Sequence, residues 1–205
     1  MTITLAITLS VLAGLAAMAL TLLLHPRTAS AHCDTMDGPA VKDGQLALDT
    51  GNANIALKWV HADGAAELGC VFEQAQAARR LGEEARLVAD QWFLENLVRI
   101  HRAGEGAPYT GLQPAGTQID ERVRAADEAI ETGTLGPLTG LVPEEQLGEL
   151  EERFSAVLAR KDFPVDDVDA GRSYLDAYVR FFKLAEGHGH DDHHHGHQGH
   201  AHQHA

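Results

Sequence analysis

Aromatic side chains make up only 5% of this chain, and no alternating run of apolar and polar residues reads as a strand. Both facts argue against a fold built on sheets, and plentiful Ala, Leu and Glu argue for helices. Cysteine is nearly missing. With two residues, Cys33 and Cys70, the chain cannot carry a disulfide scaffold, an all-cysteine zinc site or a cysteine-ligated iron–sulfur cluster by itself. Basic charge is short as well. Sixteen Lys and Arg stand against 30 Asp and Glu, a net charge of −14, which excludes a general basic field for nucleic acid or an anionic membrane. Common catalytic signatures are missing: no Gly-rich phosphate loop after a strand, no HExxH and no GxSxG. No Glu-x-x-His occurs, which removes the di-iron carboxylate bundle. Adjacent carboxylates such as Glu83-Glu84, Glu144-Glu145, Glu151-Glu152 and Asp166-Asp167 read as solvated faces.

What is present begins with an uncharged apolar run, Ile3 to Leu24, followed by Pro26 and by Ala29-Ser30-Ala31. Small residues at the two positions that a signal peptidase reads predict cleavage between Ala31 and His32, so that residues 1–31 are a signal peptide. The run is also long enough to stay as a membrane anchor. Either way residues 32–205 are expected outside the cytoplasm, periplasmic or secreted. Cleavage would make His32 the first residue and Cys33 the second.

The folded part, 32–187, reads as an internal duplication. At an offset of 82, Val41 matches Val123, Ala47 matches Ala129, and Thr50-Gly51 matches Thr132-Gly133. Near the ends the offset is 81, with Glu105-Gly106 matching Glu186-Gly187. The copies run from about 38 to 118 and from 119 to 187. Helices are expected at 41–50, 54–61, 65–80 and 83–102, and again at 123–132, 134–142, 144–161 and 166–186. Gly51 suits the left-handed position that stops a helix. Leu68, Val71, Phe72 and Ala75 share one face of the third helix. On the fourth, Leu87, Val88, Phe93, Leu94, Leu97, Val98 and His101 are the expected apolar set, and Trp59 and Trp92 read as core. The fold class is therefore all-α, a helical bundle with pseudo-twofold symmetry. A Gly- and Pro-containing loop at 102–117 joins the copies.

Three groups of residues carry candidate chemistry. In the first, a cleaved N-terminus puts an α-amine, the His32 imidazole, the Cys33 amide and the Cys33 thiolate within two residues. Such N and S donors suit nickel(II) or copper(II). An alternative for Cys33 is a disulfide with Cys70, and Cys70 reads equally as a small core residue. The second group is the tail 188–205, which holds nine of the 13 histidines: His188, His190, His193, His194, His195, His197, His200, His202 and His204. It is expected to be disordered without metal and to bind zinc, nickel, copper or cobalt with little selectivity. The third is His101 with Arg99, Arg102, Glu105 and Tyr109. Here His101 takes the place of Phe182 in the other copy, as a core histidine or a site residue.

The run His32-Cys33-Asp34, two residues, then Asp37-Gly38 resembles the N-terminal hook of nickel superoxide dismutases. His32, Cys33, Asp34 and Gly38 match that family. Asp37 stands where it has a second thiolate, and Ala40 stands at its Tyr position. The resemblance implies nickel cycling between two oxidation states, held by the α-amine, the Cys33 amide and thiolate and the His32 imidazole, with Asp37 or another chain completing the set. The stretches His32-Cys-Asp-Thr-Met-Asp-Gly-Pro39 and Leu97-Val-Arg-Ile-His-Arg-Ala-Gly-Glu-Gly-Ala-Pro-Tyr-Thr-Gly111 also resemble a bacterial family of unknown function, which implies no activity.

The function expected is an exported transition-metal-binding protein and candidate superoxide dismutase-like metalloenzyme. Its site is His32 and Cys33, with Asp37, His101 and the tail histidines as further ligands. The alternative is non-enzymatic metal storage, sequestration or delivery by the tail. The expected partner is a transition-metal ion. No nucleic acid is expected, the membrane is met only through the N-terminal segment, and a homo-oligomer is left open.

Overall fold

A computed structural model describes residues 31–187. Residues 1–30, which hold all but the last residue of the expected signal peptide, and the histidine tail from His188 onward lie outside the described residues. Among those described there is no strand, and eight α-helices are joined by turns and two short 3₁₀ segments. They are α1 (Ala31–Asp34), α2 (Pro39–Thr50), α3 (Asn54–Leu57), α4 (Ala65–Arg79), α5 (Glu83–Gly104), α6 (Glu121–Thr132), α7 (Leu147–Leu158) and α8 (Val168–Ala185). The 3₁₀ segments Gly136–Leu138 and Glu144–Gln146 lie between α6 and α7. No helix among the described residues is long and apolar enough to cross a membrane.

Local chemistry sets the helix ends. Pro39 opens α2, where its fixed φ suits the first turn and its missing N–H costs nothing. Gly51 and Gly133 close α2 and α6 with φ of 73° each, and their N–H groups donate to the Ala47 and Ala129 carbonyls. Asp120 caps α6 by accepting from the Arg122 N–H, and Asp167 caps α8 by accepting from the Ala170 N–H. The second short helix of the sequence reading, 134–142, is only the 3₁₀ turn Gly136–Leu138, opened by Pro137. Helix α3 likewise stops at Leu57 instead of His61.

Some of the helix bounds repeat at the spacing expected from the sequence. Helices α2 and α6 are displaced by 82 positions at both ends, and α5 and α8 both end on residues 81 apart. Helix packing is mostly within each run. Helices α2, α4 and α5 pack together, α6 and α7 pack on α8, and α3 touches α8 across the two groups.

The core is one cluster that includes Leu68, Val71, Phe72 and Ala75 from α4 and Phe93, Leu94, Leu97 and Val98 from α5. From α8 it takes Leu175, Tyr178, Phe181 and Phe182. Burying each large apolar side chain is worth roughly 1.5–3 kcal/mol. Gly44 lets α2 approach α5 closely, because a Cβ there would stand 2.7 Å from Leu94 and Leu97 methyl carbons. Three expected core residues are not core. Leu87, Val88 and Trp92 are exposed. The buried stripe of α5 runs through Ala89, Phe93, Leu97 and Ile100–His101, and Val88, five residues before Phe93, falls about 140° around the helix. Cys70 is exposed for the same reason on α4. Both cysteines are free, so the two do not form a disulfide here.

Candidate functional site

Helix α1 is too short to hold its own shape. Backbone and side-chain contacts from the rest of the chain hold it instead. The Gln113 N–H donates to the Asp34 carbonyl at 2.8 Å, and the Met36 N–H donates to the Gln113 carbonyl at 2.9 Å, a single parallel bridge. Asp37 Oδ2 accepts from the Gly116 N–H at 3.0 Å. The Thr35 hydroxyl donates to the His32 carbonyl at 3.1 Å. Gly38 closes the turn so tightly that a Cβ would stand 2.1 Å from the His32 carbonyl oxygen. The 102–117 linker therefore serves as a clamp on residues 34–37.

His32 crosses from this segment to the second group of helices. Its ring stacks on Phe182 of α8, with centroids 5.7 Å apart and planes 7° from parallel. Its Nε2 pairs with the Asp127 carboxylate of α6. The Tyr178 hydroxyl donates to the other Asp127 oxygen at 2.7 Å. Burial first, and then Asp127, hold the Tyr178 hydroxyl well above its ordinary pKa, so it remains a donor. His32 Nδ1 is buried and has no hydrogen-bond partner.

Cys33, next in the chain, is partly buried against the core. Burial and then the Glu105 carboxylate push its thiol up to about 12, and Arg102 only partly opposes them. Behind it lies a buried charge network. Arg102, 2% exposed, donates from Nε to Asp34 at 2.8 Å and from Nη1 to Glu105 at 3.0 Å. Burial raises the Asp34 pKa in spite of Arg102. Breaking such a pair by removing one partner typically costs ~3–5 kcal/mol.

His101 is buried, as its apolar slot implied. Its Nδ1 lies 2.7 Å from the Trp59 carbonyl, which can only accept, so Nδ1 carries the proton. Its Nε2 lies 3.7 Å from Glu105 Oε1. Of the group expected around it, Arg102 and Glu105 are close, whereas Arg99 pairs with Glu67 instead. Asp37 is exposed and is held below the ordinary carboxylate range, first by the Gly116 N–H. Among the described residues no three His, Cys, Asp or Glu side chains come together as a metal set. His32, Cys33, Asp37 and His101 are thus not one ligand cluster. The nine tail histidines lie outside the described residues.

A cleft of about 380 Å³ opens over His32 and Asp127. It lies between α2 and the α3–α4 turn on one side and α6 and α8 on the other, the seam between the two helix groups. A family model covers residues 37–184. The chain belongs to the family of unknown function DUF6448. No curated protein and no solved structure matches it. The family match starts at Asp37 and ends at Leu184, so it spans α2 to nearly the end of α8 with the 102–117 clamp, and leaves out α1, with His32, Cys33 and Asp34, and the tail.

Sequence reasoning missed Asp127 and Tyr178, and it missed Asp34 as the partner of Arg102. Asp127 lies 95 positions from His32 on an ordinary amphipathic helix, and no local pattern marks it. Tyr178 was legible only as an apolar member of α8. The Asp34–Arg102 pair spans 68 positions, and no local pattern marks it.

Proposed function

We propose that this chain is an exported protein that begins at His32 and binds one transition-metal ion at that N-terminus. Nickel is the first choice, with copper, zinc and cobalt as alternatives. The observation that carries the reading is the setting of His32. Asp127 engages Nε2, Tyr178 fixes Asp127, Phe182 fixes the ring plane, and Nδ1 is left buried with nothing to bond. A carboxylate on one imidazole nitrogen and an open second nitrogen is the usual arrangement of a metal-binding histidine. A hook of this kind takes its other donors from the α-amine and amide of the backbone, so it requires no cluster of side chains.

The donor set fits. His32 Nδ1 and the α-amine of the same residue would hold the ion together with the Cys33 amide and Sγ. Cys33 keeps its proton in the metal-free chain, because burial and the carboxylates of Glu105, Asp34 and Asp127 disfavour a thiolate. The same carboxylates favour a cation. Nickel bound there would supply one-electron chemistry of the kind that the resemblance to superoxide dismutases implies. Asp127 and Tyr178 would hold the His32 tautomer, and the stacked Phe182 would limit water at the ring.

The test uses protein exported by its own signal, with 188–205 deleted. Intact mass gives the first residue and elemental analysis gives the metal. The expected result is a chain starting at His32 with about one metal ion, held some 10–100-fold more weakly in Asp127→Asn. A retained 1–31 segment, or a tail-less chain without metal, would overturn the hook. For a superoxide dismutase, extending the N-terminus by one residue should abolish activity while tail deletion leaves it.

A second reading has its own support in nine histidines among the last 18 residues. It is storage, sequestration or delivery of metal by the tail without catalysis. It expects tail deletion to remove most of the bound metal and Cys33→Ser to change little.

A further inference from the structure

The chain has four lysines, Lys42, Lys58, Lys161 and Lys183. Three of the four line the cleft over His32, against four of the chain's 30 acidic residues. A protein of net charge −14 has concentrated its lysines in one place.

The floor of the cleft is largely apolar. Trp59, Ile130, Leu175 and Tyr178 are all buried. Two of the lining carboxylates are already engaged. Asp43 accepts from Lys58 at 2.9 Å and from the Trp59 indole at 2.7 Å. Asp127 is engaged by His32 and Tyr178. Asp37 and Glu131 sit on the exposed rim. Lys42 is exposed on that rim, and its charge helps to lower the Asp37 pKa without forming an ion pair. Lys161 Nζ donates to the Ile130 carbonyl at 2.7 Å, which uses one of its three N–H groups. Neither Lys42 nor Lys161 has a salt-bridge partner among the described residues. The volume falls in the range of small-molecule sites, ~300–1,000 Å³.

We infer that this cleft is a binding site for a small carboxylate with an apolar body, its carboxylate held by Lys42 and Lys161 and its body on Trp59 and Tyr178. The inference goes beyond metal binding and does not require it. Lys58 is not part of the anion grip, because Asp43 and the Phe163 ring already hold it.

The probe is benzoate, with benzyl alcohol as its neutral counterpart, on the exported chain with its natural metal content. The readout is the Trp59 indole N–H resonance, told apart from that of the exposed Trp92 by Trp92→Phe. Benzoate should shift the Trp59 signal saturably. Benzyl alcohol should bind about tenfold more weakly. The double variant Lys42→Gln, Lys161→Gln should also bind benzoate about tenfold more weakly, with an unchanged helical circular-dichroism spectrum. Equal binding of benzyl alcohol would make the cleft merely apolar and overturn the inference. So would an unchanged affinity in the double variant, or a Trp59 signal that does not move. The same titration on His32→Gln separates this site from the metal hook. A chain that fails the metal test and still passes this one keeps the cleft.

Discussion

At the scale of single residues, the two cysteines show how position sets chemistry. Cys33 lies among Asp34, Glu105 and Asp127 with its thiol pushed up to about 12, while Cys70 is exposed on α4, its sulfur accepting from the Gln74 amide. Because the thiolate is the reacting form, iodoacetamide at pH 8 should alkylate Cys70 at least about a hundredfold faster than Cys33 in metal-free protein. Peptide mass spectrometry over time measures both rates. Comparable rates would show that the carboxylates and burial do not suppress the Cys33 thiolate. Whether Cys33 is a ligand or a core thiol, its reluctance to ionise has the same source. Spacing along the chain placed Cys33 next to His32, but its surroundings come from α5 and α6.

At the scale of elements, the decisive junction is the turn between α1 and α2. Gly38 is needed there because the His32 carbonyl occupies the space of a Cβ, at 2.1 Å, with the Thr35 hydroxyl at 2.9 Å. Gly38→Ala should cost about 1–3 kcal/mol in urea unfolding through overpacking. It should also weaken the His32–Asp127 contact, seen as a changed His32 ring resonance. Gly148 in α7 is the opposite case, with nothing within 4 Å of an added Cβ. Gly148→Ala should stabilise by roughly 0.5–1 kcal/mol, the ordinary helix gain over glycine. If both substitutions acted alike, the close approach at Gly38 would not be holding α1. Most of these elements were legible. Gly51 and Gly133 end their helices as their spacing implied, and Leu68, Val71, Phe72 and Ala75 share the buried face of α4. The 3₁₀ turn at Gly136–Leu138 was not, because Pro137 and two neighbouring glycines weaken a helix that the matching stretch, Asn54–Leu57, does form.

At the scale of the whole molecule, acidity governs stability. Burial, reinforced by Asp120, raises Glu186 at the end of α8 from 4.5 to about 7. A carboxyl raised on folding binds more protons in the native than in the unfolded chain, so its contribution is fullest below the unfolded value and is lost as pH climbs through the folded one. Between pH 4.5 and 7 the native state should lose stability from this group, by up to about 3 kcal/mol. Glu186→Gln should flatten that part of the profile. Urea midpoints at pH 5 and pH 8 for both chains decide it, and equal slopes would remove Glu186 as the cause. The two runs of helices meet where α3 touches α8 and where His32 reaches Asp127. A cleft at such a seam is built from both runs.

The sequence by itself determined the all-α class and the approximate helix bounds. It did so because these depend on local periodicity and on chain-stopping residues such as Gly51, Gly133 and Pro39. It also offered His32, Cys33 and the tail as candidates for metal chemistry, the reading proposed above. Only the tertiary structure decided which partners those residues meet. Asp127 and Tyr178 reach His32 from helices far along the chain, Arg102 answers Asp34 across 68 positions, and three lysines from separate segments converge on one cleft. Pairings of that kind depend on how helices pack, and packing is set by the sum of many weak apolar contacts that no local pattern of residues encodes.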